Sequence, residues 1–484
     1  MATGFSGSNC IVLGPLDHVA PRNIPQSIIY LSLNSNVSYS DASSHLLQGL
    51  RRTISQVPWL AGRMYEQDVE TPGWRPGQLE IRYGVGADPA TLLRSNILDT
   101  SLSFPDLRED AFALNTFTDG ELLWNYSSDG ESSNGSNVFA AQANFVAGGC
   151  VLALSIAPPV SDGTAMLTVT KLWADNCASA FSTESLSVAG GLSLTVERSI
   201  LHPVLAGASV TAAETSNEPE SYAHLVGLAD LGSCIDDLDK AVRPAMSPRL
   251  FYMPQPLYSS LRADCINLLG LADISGTDLI SAVIWRSVMR AWVDEQSQVR
   301  PSSALPDMAT LAIPFDGRPE MATPLGSVYL GNVNFENVIE LPLKQMVACE
   351  TTIPRVAHHI RASTTAQSTL SMLTNAYRLL QHGPAFDNQL RASRALPEMA
   401  AVGILSPMVL PFNETCFGKD IFGNSGKPEA FRPMMGRRNT SFRTCFVIPR
   451  KQHGGIEFVM TLSDHEMEFL ERDDEFNRYA YAMS

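Results

Sequence analysis

No run of about eighteen consecutive apolar residues occurs in this 484-residue chain, so no membrane-spanning helix is predicted. Positive charge is scarce as well. Lys and Arg number 34 against 50 Asp and Glu, for a formal net charge of −16. Nucleic-acid binding rests on neutralising phosphates, so this balance argues against a DNA or RNA partner. It suits a soluble protein that repels its own copies. Paired cysteines are missing. Cys10, Cys150, Cys177, Cys234, Cys265, Cys349, Cys416 and Cys445 are scattered singly, with no CxxC. Reduced, mostly buried thiols are expected. Residues 1–10 carry no basic stretch leading into an apolar one, so no secretory leader is read and a cytoplasmic protein is expected.

Common catalytic signatures are absent too. The chain has no GxSxG elbow, P-loop, HExxH or EF-hand loop. Gly84-Val85-Gly86 lacks the third glycine and the following helix of a dinucleotide fingerprint. His358 and His359 fall in a helical stretch, where neighbours point about 100° apart, so they do not share a metal. The acidic cluster Asp236, Asp237 and Asp239 has no repeated partner motif and reads as solvated linker. No metal and no resident cofactor is expected.

What is present is ordinary globular material, 45% hydrophobic and 17% charged. Helix and strand patterns alternate. Helical spacing runs over 40–56, over 164–177 with Met166, Val169 and Trp173 inward, and over 277–295 behind a Thr-Asp cap. It resumes over 356–381 and over a last helix, 463–481. Strand patterns cover 79–83, 148–156, 249–253 and 309–315, and a hairpin joins 446–449 to 456–462. The stretch 201–244, rich in Ala, Ser, Thr, Glu and Pro, reads as a partly exposed crossover. The pattern predicts an α/β architecture with domains at 1–200 and 245–484.

Several blocks together resemble the BAHD-type, CoA-dependent acyltransferases, in particular their fungal branch. They are LGPLDHVAPR from Leu13, LRRTISQVPWLAGR from Leu50, Gly148-Gly149-Cys150 with Asp162-Gly163, and Asp316-Gly317-Arg318 with Tyr329-Leu330-Gly331-Asn332. Phe422-Gly423 with GKPEAFR from Gly426, and GGIEF from Gly454, complete the set in the family's order. The resemblance implies two chloramphenicol-acetyltransferase-like domains with a tunnel at their interface, a monomer, and a small natural product as partner. It also implies an HxxxD element, whose histidine takes the acceptor's proton while its aspartate orients the loop through an arginine.

The chain departs from that element. With Asp162-Gly163 aligned to it, the histidine position is Pro158, and none of the nine histidines begins an HxxxD. Proline has neither an ionisable side chain nor an N–H. The block DIFGNSGKP from Asp420 also differs from the family's DFGWG, with Asn424-Ser425 in place of the aromatic step. Three functions stay open. One is a repurposed enzyme of secondary metabolism that cyclises (pericyclic closure included), isomerises or dehydrates a natural product, with Asp162 and Ser161 as candidate catalytic groups. The second is a CoA-dependent O-acyltransferase with a substitute base, acyl-CoA then being co-substrate and Lys427, Arg432, Arg437 and Arg438 meeting its phosphates. The third is a non-catalytic binding protein. Pro158, Ser155, Asn332, Asn424 and Ser425 are the expected pocket positions, and Arg318 the expected structural partner of Asp162.

Overall fold

The computed structural model describes residues 8–19, 27–84, 88–124, 135–179, 194–195, 198–206, 220–227, 246–270, 273–299, 305–321, 328–383, 399–406, 415–435, 442–448 and 454–483. These residues form four sheets, of which the two largest carry the two halves of the fold. The first has five strands, in the order Ala430–Pro433, Ser27–Ser32, Gly149–Ile156, Phe139–Val146 and Leu93–Ile97. Phe139–Val146 and Gly149–Ile156 form a tight hairpin, Val146 opposite Gly149. Gly148 takes φ +83° in its turn, a conformation that costs glycine nothing.

Both faces of this sheet are covered, which is why the central strand Gly149–Ile156 reads as a nearly continuous apolar run rather than an alternating one. The helices Tyr39–Gln56 and Gly163–Ala178 pack Leu46, Leu50, Met166 and Trp173 against Leu152 and Leu154. Phe104, Leu107, Phe112 and Leu122 cover Val151 and Ala153 on the other face. Met166, Val169 and Trp173 are all buried.

The second sheet has seven strands, in the order Asn334–Pro342, Met308–Asp316, Ala401–Leu405, Thr444–Val447, Ile456–Leu462, Ser247–Met253 and Tyr481–Ala482. Its main cover is the helix Gly276–Val299, which buries Leu279, Val283, Trp285, Val288 and Trp292. This helix is capped by Ser275, not by Thr277. Ser275 Oγ accepts the Asp278 N–H at 3.1 Å and Asp278 Oδ2 accepts the Ser275 N–H at 2.8 Å, so the acid serves the third helical position of a capping box.

Three further expectations change. The stretch 356–381 is two helices, Ile353–Gln367 and Leu370–His382, because Thr369 caps the second. The last helix breaks into Asp464–Arg472 and Asp474–Asn477, since Asp473 accepts the N–H groups of Glu475 and Phe476; Tyr481–Ala482 then pairs with Ser247–Met253 as a strand. Within the partly exposed crossover, Leu201, Leu205, Tyr222, Leu225 and Val226 form a buried side with Leu373, Tyr377 and Leu380. Finally, contiguous domain ranges do not describe the sheets. Residues 430–433 lie in the C-terminal half but add the edge strand of the first sheet, Phe431 opposite Ile29. The acidic cluster at 236–239, Arg437 and Arg438 lie outside the described residues.

Candidate active site at the 157–162 turn

Strand Gly149–Ile156 ends at the domain junction and runs into a tight turn, where Ala157 O accepts the N–H groups of Val160 and Ser161. Asp162 then caps the helix Gly163–Ala178, its Oδ1 accepting the Ala165 N–H at 2.9 Å. Capping fixes the carboxylate at the helix N-terminus, where a negative charge is favoured.

That carboxylate is fully buried and fully used. Oδ1 also accepts from Arg318 Nη2 at 3.1 Å, while Oδ2 accepts from Arg318 Nη1 at 3.0 Å and from the Val333 N–H at 2.8 Å. Arg318 adds Asp316 at 2.8 Å and the carbonyls of Tyr329 and Gly331. Burial works against the Arg318 charge, but the two carboxylates outweigh it and raise its pKa. Asp316 is pushed up by burial, only partly offset by Arg318. With both oxygens of Asp162 committed, the expectation that it acts as acid or base is corrected: the geometry makes it a positioning residue. Ser161 is corrected likewise. It is buried and donates to the Leu330 carbonyl at 2.8 Å, leaving no proton to give a substrate.

Pro158 is half-buried, and its carbonyl accepts from Asn332 Nδ2 at 3.1 Å. Asn332 also donates its N–H and Nδ2 to Asp17 Oδ1, at 3.1 and 2.9 Å. Ser155 is half-buried near the end of the same strand. The other expected site residues stand elsewhere. Asn424 and Ser425 are exposed in a turn with φ of 50° and 58°, and Gly423 N–H bonds Ser32 O. Ser32 pairs with Gly149, so this turn and the half-buried Lys427 lie at the opposite end of the strand from Pro158, about 23 Å away at 3.3 Å per residue. Asn424 and Ser425 are therefore not beside the Pro158 turn. Arg432 cannot meet a phosphate, because it is completely buried. It donates to Glu457 at 2.8 Å and to the carbonyls of Ala111, Phe112 and Phe431.

Three residues that sequence reasoning did not single out complete the junction. Asp17, buried in the short helix Pro15–His18, holds Asn332. Arg198 lies against it, Nε to Oδ2 at 4.0 Å, and donates to the Val160 carbonyl at 2.5 Å. Its guanidinium sits 5.5 Å from the Trp59 ring centroid and 5.6 Å from that of Tyr329. Gly331 is needed there, since a Cβ would fall 1.7 Å from Arg198 Nη1. Burial raises the Tyr329 hydroxyl pKa, and Asp17 adds to it. Asp17 and Tyr329 lay within quoted motifs; Arg198 sits in a stretch with no local signal.

His18 adjoins this cluster but is no substitute base. Its Nδ1 donates to the Gly14 carbonyl at 2.8 Å and its Nε2 accepts the Leu79 N–H at 3.0 Å, which requires a neutral ring. Burial, against the opposing pull of Gly14 O and Asp17, lowers its pKa. The unfolded chain therefore binds the extra proton, and stability falls as pH drops below the ordinary histidine value of about 6.5. We expect urea midpoints to decline from pH 7 to pH 5, with a flatter decline in His18→Gln. Equal slopes in both proteins would show that His18 does not carry the effect.

The profile of the Transferase family matches residues 112–477, and that of the Trichothecene 3-O-acetyltransferase-like N-terminal domain matches residues 25–177. The chain belongs to the Transferase family. The isocyanide synthase-NRPS hybrid crmA of Aspergillus fumigatus is 28% identical to it over 97% of this chain and 31% of its own length. The enoyl-CoA isomerase/hydratase claC of Penicillium crustosum is 26% identical over 96% of this chain and 50% of its own. This Transferase-family chain thus spans a third to a half of those two proteins. The trichothecene 3-O-acetyltransferase TRI101 of Fusarium sporotrichioides is 23% identical over 94% of this chain and 92% of its own. In structure, F. graminearum TRI101 complexed with coenzyme A and deoxynivalenol superposes with a TM-score of 0.75 at 18% identity, covering 98% of this chain and all of that one. This establishes the two-domain acyltransferase fold.

Proposed function

We propose that this chain closes a ring in a small natural product, by an intramolecular reaction that uses neither a histidine base nor CoA. One observation carries this reading. Between Ile156 and Gly163 the only polar side chains are Ser161 and Asp162, and both are consumed by structural hydrogen bonds. Pro158 stands where the family's histidine is read, so the turn offers no group to take a proton from an acceptor. Ring closure, pericyclic closure included, needs a folded conformer and a shaped site more than a base; with both reacting ends in one molecule, what the site supplies is the near-attack conformer.

Isomerisation or dehydration through Asp162 fits this geometry less well, although claC is named an isomerase/hydratase. Acyl transfer is the second reading, favoured by relatives named acyltransferases in Botryotinia fuckeliana and Cordyceps militaris. Loss of one general base commonly costs about 10²–10⁴-fold in rate, which slows acyl transfer without abolishing it.

Calorimetry with CoA and acetyl-CoA, with thioester hydrolysis followed alongside, separates the two. We expect no detectable binding. Mass spectrometry of an extract from cells lacking the protein, before and after adding it, should show a precursor converted to a product of unchanged mass. Loss of water would indicate dehydration. CoA binding together with gain of an acyl group would establish acyl transfer instead.

A further inference from the structure

Asn332 bridges the two halves at Pro158, and its amide orientation is decided by chemistry. Both partners of Nδ2, Asp17 Oδ1 and the Pro158 carbonyl, are acceptors, so the nitrogen must face them. Oδ1 therefore points elsewhere. It is buried, on a side chain of 1% exposure, and no donor among the described residues reaches it. A buried acceptor left without a donor is costly, so such atoms are normally answered by something. Its neighbour Pro158 is half-buried, which leaves the turn reachable from outside.

We propose that Asn332 Oδ1 is a subsite that accepts a hydrogen bond from a hydroxyl or N–H group of the substrate, holding that group against the Pro158 turn. The surroundings define the guest further. Among the described residues, Asp17, Asp162 and Asp316 are paired with Arg198 and Arg318, three carboxylates against two guanidinium groups, so an anionic guest is disfavoured. A neutral alcohol, or an amine or amide N–H, is the matching class. A site built to bond such a donor strongly rejects the analogue that lacks it, because its buried acceptor is then left bare. Asn332 would thus set specificity, not perform chemistry.

This subsite rests on the ring-closure reading only for the claim that the guest is substrate. The test needs no reaction, so either can fail alone. Crystals of the protein are soaked separately in isopropanol, which can donate, and in acetone, which only accepts. The isopropanol hydroxyl is expected within hydrogen-bond distance of Asn332 Oδ1, with acetone absent from that position. Equal occupancy by acetone would overturn the subsite. So would a protein N–H or O–H found bonded to Oδ1, or exclusion of both solvents. If isopropanol binds as expected while extracts show acyl gain, the subsite stands and the ring-closure reading falls.

Discussion

Replacing Asp162 by alanine is expected to deplete folded protein at least as much as it lowers activity. The substitution removes acceptors for the Ala165 and Val333 N–H groups and two bonds to Arg318 at once. Breaking a buried ion pair from one side typically costs about 3–5 kcal/mol, against a total stability of about 5–15 kcal/mol. Arg318 retains Asp316, so the loss should fall short of complete unfolding. Asp162→Asn keeps the shape and can still accept, and should lie between the two. Urea unfolding read by far-UV circular dichroism gives the stability, and turnover per folded molecule gives the chemistry. If Asp162→Ala unfolds like the parent yet has no turnover, the carboxylate acts on the substrate and its positioning role is wrong.

Arg432→Met should be comparably damaging, without touching any ligand. Ala111 and Phe112 have φ of 50° and 56°, left-handed values that side-chain-bearing residues adopt at a cost of about 1–2 kcal/mol each. Arg432 binds both of their carbonyls and reaches Glu457 of the second sheet, so it holds a strained turn, the edge strand 430–433 and the facing domain together. A loss of about 3–5 kcal/mol is expected. In the double variant with Glu457→Gln the loss should be less than the sum of the singles, by the coupling of residues in contact. Additive single losses would mean that the ion pair contributes little. A normally stable Arg432→Met that responds to CoA differently from the parent would restore the phosphate role.

The residues of the candidate site were legible to unequal degrees. Pro158, Asp162, Arg318 and Asn332 could be named because each lies in a short block whose neighbours resemble a known pattern, and the structure brings them together. Asn424 and Ser425 came from such a block as well, yet they occupy the far end of the strand, because a motif's presence does not state its direction from the site. Arg432, expected to meet CoA phosphates in the acyltransferase reading, is instead fully buried. Arginine is almost never fully buried unless paired, and its partners, Glu457 and the Ala111 and Phe112 carbonyls, are up to 321 residues away in sequence.

By itself, the sequence determined what depends on near neighbours. The 3.6-residue stripe of Met166, Val169 and Trp173, the apolar strand 149–156 and the glycine turn before it were all readable, because helical and pleated periodicities repeat within one or two turns of chain. It also determined that no histidine precedes Asp162 by four residues. Tertiary structure alone decided what depends on distant partners: that Ala430–Pro433 crosses to the first sheet, that Asp17 and Arg198 enter the junction, and that Ser161 and Asp162 have no capacity left for chemistry. A hydrogen bond is satisfied or free according to what stands within about 3 Å, and folding, not spacing along the chain, chooses that neighbour.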